Sequence, residues 1–245
     1  MFSGRGEIKV ENCGSWRGGR EHALAWALHR GGEHEIIAVP GNPGTAPFCR
    51  NIQGDPVKIS VKESADLVVV GPEAPLVAGI SEELSAAGIP CFGPDSVCAG
   101  LEGSKWFAKE VMESAGVPTA QGRLFTDPVA ALDYLGEYPE KYVIKADGLA
   151  AGKGVFLPRG KKEAEAVIGD LFTGSLGKAG ASVVVEQRLA GREVSVLAVC
   201  SGTDAVMLPP AATTNGPSTA TTVRTPAAWA QYALLRMYLP VLVKR

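Results

Sequence analysis

No run of about 18 apolar residues occurs in the 245-residue chain, so no transmembrane helix is expected. The start lacks the charged-then-apolar pattern of a secretory signal. Excess charge of either sign is also missing. Lys plus Arg number 24 and Asp plus Glu 26, a net charge of −2, which argues against a general nucleic-acid binder. A phosphate ligand would therefore have to be held by local lysines and backbone amides. The five cysteines, Cys13, Cys49, Cys91, Cys98 and Cys200, are scattered and odd in number. No pair has metal-ligand spacing, and Cys91 and Cys98 read as packing residues. Reduced thiols point to the cytoplasm. Two common phosphate signatures are absent: no Walker A loop, since no Gly-Lys-Ser/Thr occurs, and no dinucleotide fingerprint.

What is present is the composition of a soluble globular protein, 46% hydrophobic and 20% charged, with length for one large or two ordinary domains. The most informative stretch is 142–157. Two apolar runs, Tyr142–Ile144 and Val155–Leu157, read as strands. The loop between them carries Gly148, Gly152 and Gly154 and the lysines Lys145 and Lys153. Glycines let backbone N–H groups approach oxygens closely and lysines neutralise charge, so the hairpin suits a polyphosphate. Alone, such a loop reads equally as a solvated surface hairpin.

Residues 18–31 read as a helix with an apolar stripe of Ala23, Leu24, Ala27 and Leu28. Gly18 and Gly19 open it, where free N–H groups can hold an anion. Strands are expected at 35–40, 65–70 and 89–92, with a helix over 77–87, which implies a parallel α/β sheet. The loops at 41–46, 71–76 and 92–94 then lie at strand carboxyl ends, where such sheets bind ligands. Glu73 in the second loop fits either a ligand contact or a helix N-terminal carboxylate. A second α/β region begins near Leu101. It has helices at 104–115, 128–136 and 162–172, and strands at 182–186 and 194–199. Residues 211–230 are an Ala/Thr/Pro mixture without period, and 231–245 are apolar with basic ends.

Six stretches in order carry a resemblance. They are Gly-Gly-Arg-Glu-His-Ala-Leu (18–24), Gly-Asn-Pro-Gly-Thr-Ala (41–46), Val-Gly-Pro-Glu-Ala-Pro-Leu-Val-Ala-Gly (70–79), Gly-Ser-Lys (103–105), Val-Ile-Lys-Ala-Asp-Gly-Leu-Ala-Ala-Gly-Lys-Gly-Val (143–155) and Val-Val-Glu-Gln-Arg-Leu-Ala-Gly-Arg-Glu-Val-Ser (184–195). Over residues 18 to about 210 the chain resembles the glycinamide ribonucleotide synthetases, or phosphoribosylamine–glycine ligases, of the ATP-grasp class. The resemblance implies an N-terminal Rossmann-like, pre-ATP-grasp parallel-sheet domain over 1–102 that binds substrate. It implies a partial ATP-grasp domain over 103–210, and leaves 211–245 as a tail unlike the family.

It also implies the reaction. Glycine's carboxylate attacks the γ-phosphate of ATP to give glycyl phosphate and ADP. The amine of 5-phosphoribosylamine then displaces phosphate, a step of purine biosynthesis. Lys105 and Lys145 would hold ATP phosphates, and the loop with Gly148, Gly152, Lys153 and Gly154 would close over them. Glu186 to Leu189 would read the adenine edge, and Glu193 would bind the ribose hydroxyls. Gly18, Gly19, Asn42 and Glu73 would face phosphoribosylamine. No protein nucleophile is implied. ATP with Mg²⁺, or Mn²⁺ in its place, would be the cofactor pair, and the partners would be small molecules, with no nucleic acid or membrane.

Two stretches depart from the family. Glu11–Arg17 makes a poor buried strand where the family has an apolar one. Residues 211–230 replace a phosphate-proximal loop, and 211–245 contain no Asp or Glu. The genetic code suggests a cause. Read one base earlier, permitted codons for Ala212 to Ala230 give D-H-K-R-S-I-D-G-D-H-G-P-N-T-G-G-M-G, which is like the family's loop. Read one base later, Glu11 to Trp16 give K-I-V-V-V-G, an apolar strand. Two frame disruptions are the expectation, with the metal-binding Glu and Asn of the family missing from the chain. Two alternatives stay open: a non-catalytic ATP-binding fragment, and another ATP-grasp carboxylate–amine ligase.

Overall fold

The structure, a computed structural model, describes residues 10–13, 19–32, 34–150, 152–191 and 194–212. The chain separates into two compact units: residues up to 93 together with those from 191 onward, and residues 94–190.

The first unit contains β1 (Val10–Cys13), α1 (Gly19–Gly31), β2 (Ile36–Val39), β3 (Arg50–Asn51), α2 (Pro56–Glu63), β4 (Leu67–Val70), α3 (Glu73–Val77), α4 (Ile80–Ala86) and β5 (Cys91–Phe92). The five strands form one parallel sheet in the order β3-β2-β1-β4-β5. Such a sheet is covered on both faces, which is why Ile36, Ile37, Ala38 and Val39 are all buried without alternation. Ile36 and Ala38 pack with Leu24, Ala25, Ala27 and Leu28 of α1. Ile37 and Val39 pack with Ile59 of α2 on the opposite face.

Several expectations are corrected here. Residues Val10–Cys13 form the central strand of this sheet, although Glu11–Arg17 had read as too polar for one. Val10 pairs with Ile36 on one side and Leu67 on the other, so backbone pairing on both edges outweighs weak strand propensity. Residues 14–18 of that stretch lie outside the described residues. α2 was missed, yet its start carries the usual signals: the Asp55 carboxylate accepts from Lys58 N at 2.9 Å and Pro56 opens the helix. The helix expected over 77–87 is α4, Ile80–Ala86, and a further short helix, α3, occupies most of the stretch expected as the 71–76 loop; Gly79, at φ +97, separates the two.

The second unit holds α5 (Ser96–Gly103), α6 (Lys105–Ser114), β6 (Gly122–Phe125), α7 (Pro128–Leu135), β7 (Tyr142–Ala146), β8 (Val155–Phe156), α8 (Lys161–Phe172) and β9 (Val183–Gln187). Its sheet is antiparallel throughout, in the order β6-β9-β7-β8. Alternation decides its faces. Ile144 and Ala146 of β7 and Val183 and Val185 of β9 are buried with Ala131, Leu135, Ala164, Ile168 and Leu171 of α7 and α8. Lys145 and Glu186 therefore belong to the opposite face. Cys98 is exposed on α5 rather than packed, and the half-buried Cys91 accepts from the Ser81 hydroxyl at 3.2 Å.

From residue 194 the chain forms β10 (Val194–Ser195), β11 (Ala198–Ser201), β12 (Asp204–Met207) and β13 (Ala211–Ala212). β10 pairs with β13 and β11 with β12, both antiparallel. Among the described residues no helix is long and apolar enough to cross a membrane.

Candidate functional site

The glycine-rich hairpin forms as the strand pattern requires, with Ile144 opposite Phe156 and Lys145 opposite Val155. Its three glycines serve different ends. A Cβ on Gly148 would stand 2.8 Å from Ala179 Cα, and Gly148 N donates to Ala179 O at 3.3 Å. A Cβ on Gly154 would meet Ala150 Cβ at 2.6 Å and Ala146 Cβ at 3.2 Å, in a buried position. Both allow the loop to lie close to its own unit. Gly152 alone of the three has a positive φ, +77, and open space around it. Lys153 beside it is exposed, and its backbone N–H closes a turn on Ala150 O at 2.9 Å.

Directly after β7, where the loop begins, the chain clamps a helix. Ser104 caps α6, its hydroxyl oxygen accepting from Phe107 N at 3.0 Å. The Asp147 carboxylate reaches the same helix end. It accepts from Trp106 N at 2.7 Å and from the Ser104 hydroxyl at 3.1 and 3.0 Å. A carboxylate at an N-terminus is favoured by the exposed N–H groups and the helix dipole. Lys105 N donates to Asp147 O at 3.1 Å, and Lys105 Nζ donates to Gly148 O at 3.1 Å. Burial holds the Lys105 ammonium below its usual pKa. The nearby Asp147 and Glu102 charges oppose that shift, and the Lys145 charge adds to it.

On the face of the β7–β9 pairing opposite α7 and α8, Val143 stands opposite Glu186 and Lys145 opposite Val184, so Lys145 and Glu186 are diagonal neighbours. Their side chains form an ion pair through Glu186 Oε1. Glu186 Oε2 pairs with Lys109 Nζ at 3.0 Å. Lys109 also donates to Thr119 Oγ1 at 3.1 Å and to the Ala120 carbonyl. Burial pushes the Glu186 carboxyl up, but Lys145 and Lys109 together outweigh it, and its pKa falls below the usual range. Gly122 lies directly opposite Glu186, where a Cβ would come within 2.8 Å of Glu186 Cβ and of Val185 O. A side chain there would disturb the strand that carries the carboxylate.

The structure thus brings together Lys105, Lys145, Gly148 and Glu186 with two residues not singled out from the sequence, Lys109 and Asp147. For Asp147 a signal was legible: an acid directly after a strand, in the company of a Gly-Ser-Lys helix start. For Lys109 there was none, since a lysine on an amphipathic helix reads as solvated. Leu189 is 68% exposed and stands apart from this cluster. The backbone N–H groups of Gln187 and Arg188 are taken by Gln121 O and Lys141 O, each at 2.7 Å. Glu193 and Gly18 lie outside the described residues.

The first unit holds the remaining candidates. Asn42 has its side-chain oxygen occupied, accepting from Gly44 N at 2.8 Å and Thr45 N at 3.1 Å. The buried Thr45 hydroxyl lies 2.9 Å from both Asn42 O and Asn51 Oδ1, its single proton serving one of them, and Asn51 Nδ2 donates to Asn42 O at 2.8 Å. His22 of α1 stacks edge-on against Phe48, and a Cβ on Gly44 would fall 2.5 Å from His22 Nδ1. Glu73 is the first residue of α3, and Gly19 the first described residue of α1, exposed. Both the 41–46 and 71–76 stretches follow strand carboxyl ends, after β2 and β4. The strand order changes direction between β1 and β4, the position at which open parallel sheets bind ligands. Among the described residues no group of three or more His, Cys, Asp or Glu side chains converges on one point.

Comparison with known proteins matches residues 15–102 to the family described as phosphoribosylglycinamide synthetase, N domain, and residues 103–215 to phosphoribosylglycinamide synthetase, ATP-grasp (A) domain. A phosphoribosylamine–glycine ligase of Rhizobium meliloti is 46% identical over 202 residues, covering 80% of this chain and 47% of that protein. One of Synechocystis is 44% identical over 213 residues, covering 83% of this chain and 49% of that protein. The chain spans about half the length of the curated relatives it matches. A solved phosphoribosylamine–glycine ligase from Thermotoga maritima superposes with a TM-score of 0.68 at 35% identity, over 83% of this chain and 49% of that one.

Proposed function

This chain belongs to the phosphoribosylglycinamide synthetase family, and from that premise we propose that it carries the ATP-binding and ribosylamine-binding parts of a phosphoribosylamine–glycine ligase. The product would be glycinamide ribonucleotide, made through glycyl phosphate in purine biosynthesis, in the cytoplasm. The observation that carries the reading is the cluster at the start of α6 and the end of β7. Three lysines, Lys105, Lys109 and Lys145, converge there on two acids, Glu186 and Asp147. The Asp147 carboxylate is already engaged by the N-terminus of α6. Two of these ammonium groups, Lys105 and Lys145, are less buried than Lys109 and suit a polyphosphate.

Phosphoryl transfer asks a protein for positioning and charge neutralisation more than for a nucleophile. Lys145 and Lys105 supply cationic donors at the phosphates. The hairpin loop, pivoting at Gly152, excludes water that would hydrolyse an acyl phosphate. With the amides of Gln187 and Arg188 engaged in the fold, backbone readout of the adenine edge falls to Leu189, and Glu193 takes the ribose hydroxyls. On the amine side, Gly19 and Gly18 at the α1 N-terminus suit the 5-phosphate. Asn42, its oxygen spent on the loop, offers its amide N–H groups, and Glu73 faces the ribosylamine. ATP-grasp enzymes use a divalent cation with ATP. The described residues do not by themselves fit such an ion, Mg²⁺ or Mn²⁺.

Titration calorimetry of the 245-residue chain with ATP tests the nucleotide reading, and binding is expected. A coupled assay for ADP release that depends on both glycine and phosphoribosylamine tests the ligase reading. ATP binding without such release assigns the chain to nucleotide binding alone. Absence of ATP binding refutes both.

A further inference from the structure

We propose that Lys109 is a positioning residue, the fixed counter-ion of Glu186, and that its presence frees Lys145 to leave that carboxylate for the phosphates of a bound nucleotide. The inference rests on the nucleotide reading above and assigns a role to a residue that touches no ligand.

The two lysines share one carboxylate but differ in everything else. An ammonium has three N–H donors. Lys109 meets three acceptors, Glu186 Oε2, Thr119 Oγ1 and the Ala120 carbonyl, and its side chain is only 3% exposed. It cannot reach a ligand without abandoning buried acceptors. Lys145 has one ion-pair partner among the described residues, Glu186 Oε1, and its side chain is 27% exposed. It has donors to spare and a route to solvent. It also sits on a strand that ends at Ala146, just before Asp147 and Gly148, near Lys105, whose ammonium already rests on Gly148 O.

Glu186 sits between them with a side chain 12% exposed. A carboxylate at that depth must keep a cation, because an unpaired buried charge is strongly unfavourable. If Lys145 were its sole partner, moving Lys145 to a phosphate would strand Glu186, and that cost would be subtracted from nucleotide affinity. Lys109 removes the cost. It stays on Oε2 in both states, so Lys145 can change partners. Gly122 faces Glu186 across the β6–β9 pair, where any Cβ would press on Glu186 Cβ and Val185 O and disturb the strand that carries the carboxylate.

Four variants of the 245-residue chain test the inference: Lys109→Met, Lys145→Met, Glu186→Gln and the double variant Lys109→Met/Glu186→Gln. Thermal unfolding without nucleotide is the first readout. Lys109→Met should lower Tm by about 6 °C or more, as expected for breaking a buried pair. Lys145→Met should lower it by about 3 °C or less, since Glu186 keeps its counter-ion. Equal losses overturn the inference whatever the nucleotide does. ATP affinity is the second readout. Lys109→Met should bind ATP about tenfold or more weakly, the scale of one charged contact. The double variant should return to within about threefold of the unaltered chain, because the neutral amide that replaces the Glu186 carboxylate needs no cation. A merely structural lysine would give no such rescue. If Lys109→Met does not fold, the double variant, which leaves no stranded charge, still decides: weak ATP binding by a folded double variant overturns the inference. Failure of the unaltered chain to bind ATP overturns the nucleotide reading and this inference with it. ATP binding by the unaltered chain with weak binding by the folded double variant overturns this inference alone.

Discussion

The loop after β2 and the cluster at the end of β7 are both dense in polar side chains, yet they are wired in opposite ways. In the first, Asn42, Thr45 and Asn51 spend their groups on one another and on local backbone. In the second, one half-buried carboxylate serves two lysines, and a third ammonium nearby rests on a backbone carbonyl. The first arrangement holds a shape and leaves the Asn42 amide N–H groups over for a ligand. The second keeps Lys105 and Lys145 partly exposed, with N–H donors left for an anion. The difference separates side chains spent mainly on building a loop from those that await a ligand, even though Asn42, Thr45, Lys105, Lys145 and Glu186 all fall within family motifs.

Substitutions can break or sharpen that contrast, and the largest effect is expected at Lys145. Lys145→Ala should weaken ATP binding by about 1.5–3 kcal/mol, the value of a charge-assisted contact. Lys162→Ala, on the exposed side of α8, should stay within about 0.5 kcal/mol. Calorimetry on both variants checks this, and equal affinities would remove Lys145 from the phosphate site. Thr45→Val should act on stability instead. It leaves buried partners unsatisfied, for about 1–2 kcal/mol in urea unfolding, with ATP affinity unchanged. An altered ATP affinity with intact stability would reverse the roles given to the two regions.

Gly152→Ala should cost about 1 kcal/mol, because φ +77 is a left-handed conformation. Gly160→Ala, with φ 177 and open space, should cost less in the same unfolding assay. The smallest effect is expected from pH. Glu186 has its folded pKa lowered, so its stabilisation is present above the unfolded carboxylate value of about 4.3. It is lost as pH falls through the folded value. Unfolding of the unaltered chain should therefore steepen below about pH 4, relative to Glu186→Gln, and identical acid profiles would remove the charge pairing from the account.

Much of the fold was legible because it is written in local patterns. The apolar runs of β2, β4 and β9, the stripe of α1 and the hairpin around Gly152 follow from residue type and spacing. What escaped was either weak locally or decided by pairing. Val10–Cys13 has little strand character of its own and is held by neighbours on both sides. Pro56–Glu63 had its cap and proline in view, but its apolar pattern is short. The glycines of 148–154 read as one phosphate-binding set. Only Gly152 needs the conformational freedom, while Gly148 and Gly154 are small because Ala179, Ala150 and Ala146 lie against them.

By itself the sequence determined the family, through six motifs in order, and with it the α/β class and the stretches that hold the candidate residues. It determined that lysines would flank a glycine loop, since residue types at short spacing are visible without a fold. Only the tertiary structure decided which lysine is free. Lys105 and Lys109 stand four apart on one amphipathic helix and look alike in the chain. Packing buries one ammonium among three acceptors and leaves the other on a single carbonyl. That Lys145 and Glu186 meet at all depends on strand register, and that Lys109 joins them depends on how α6 lies on the sheet. Charge pairing over such sequence distances is set by three-dimensional packing, which no local pattern encodes.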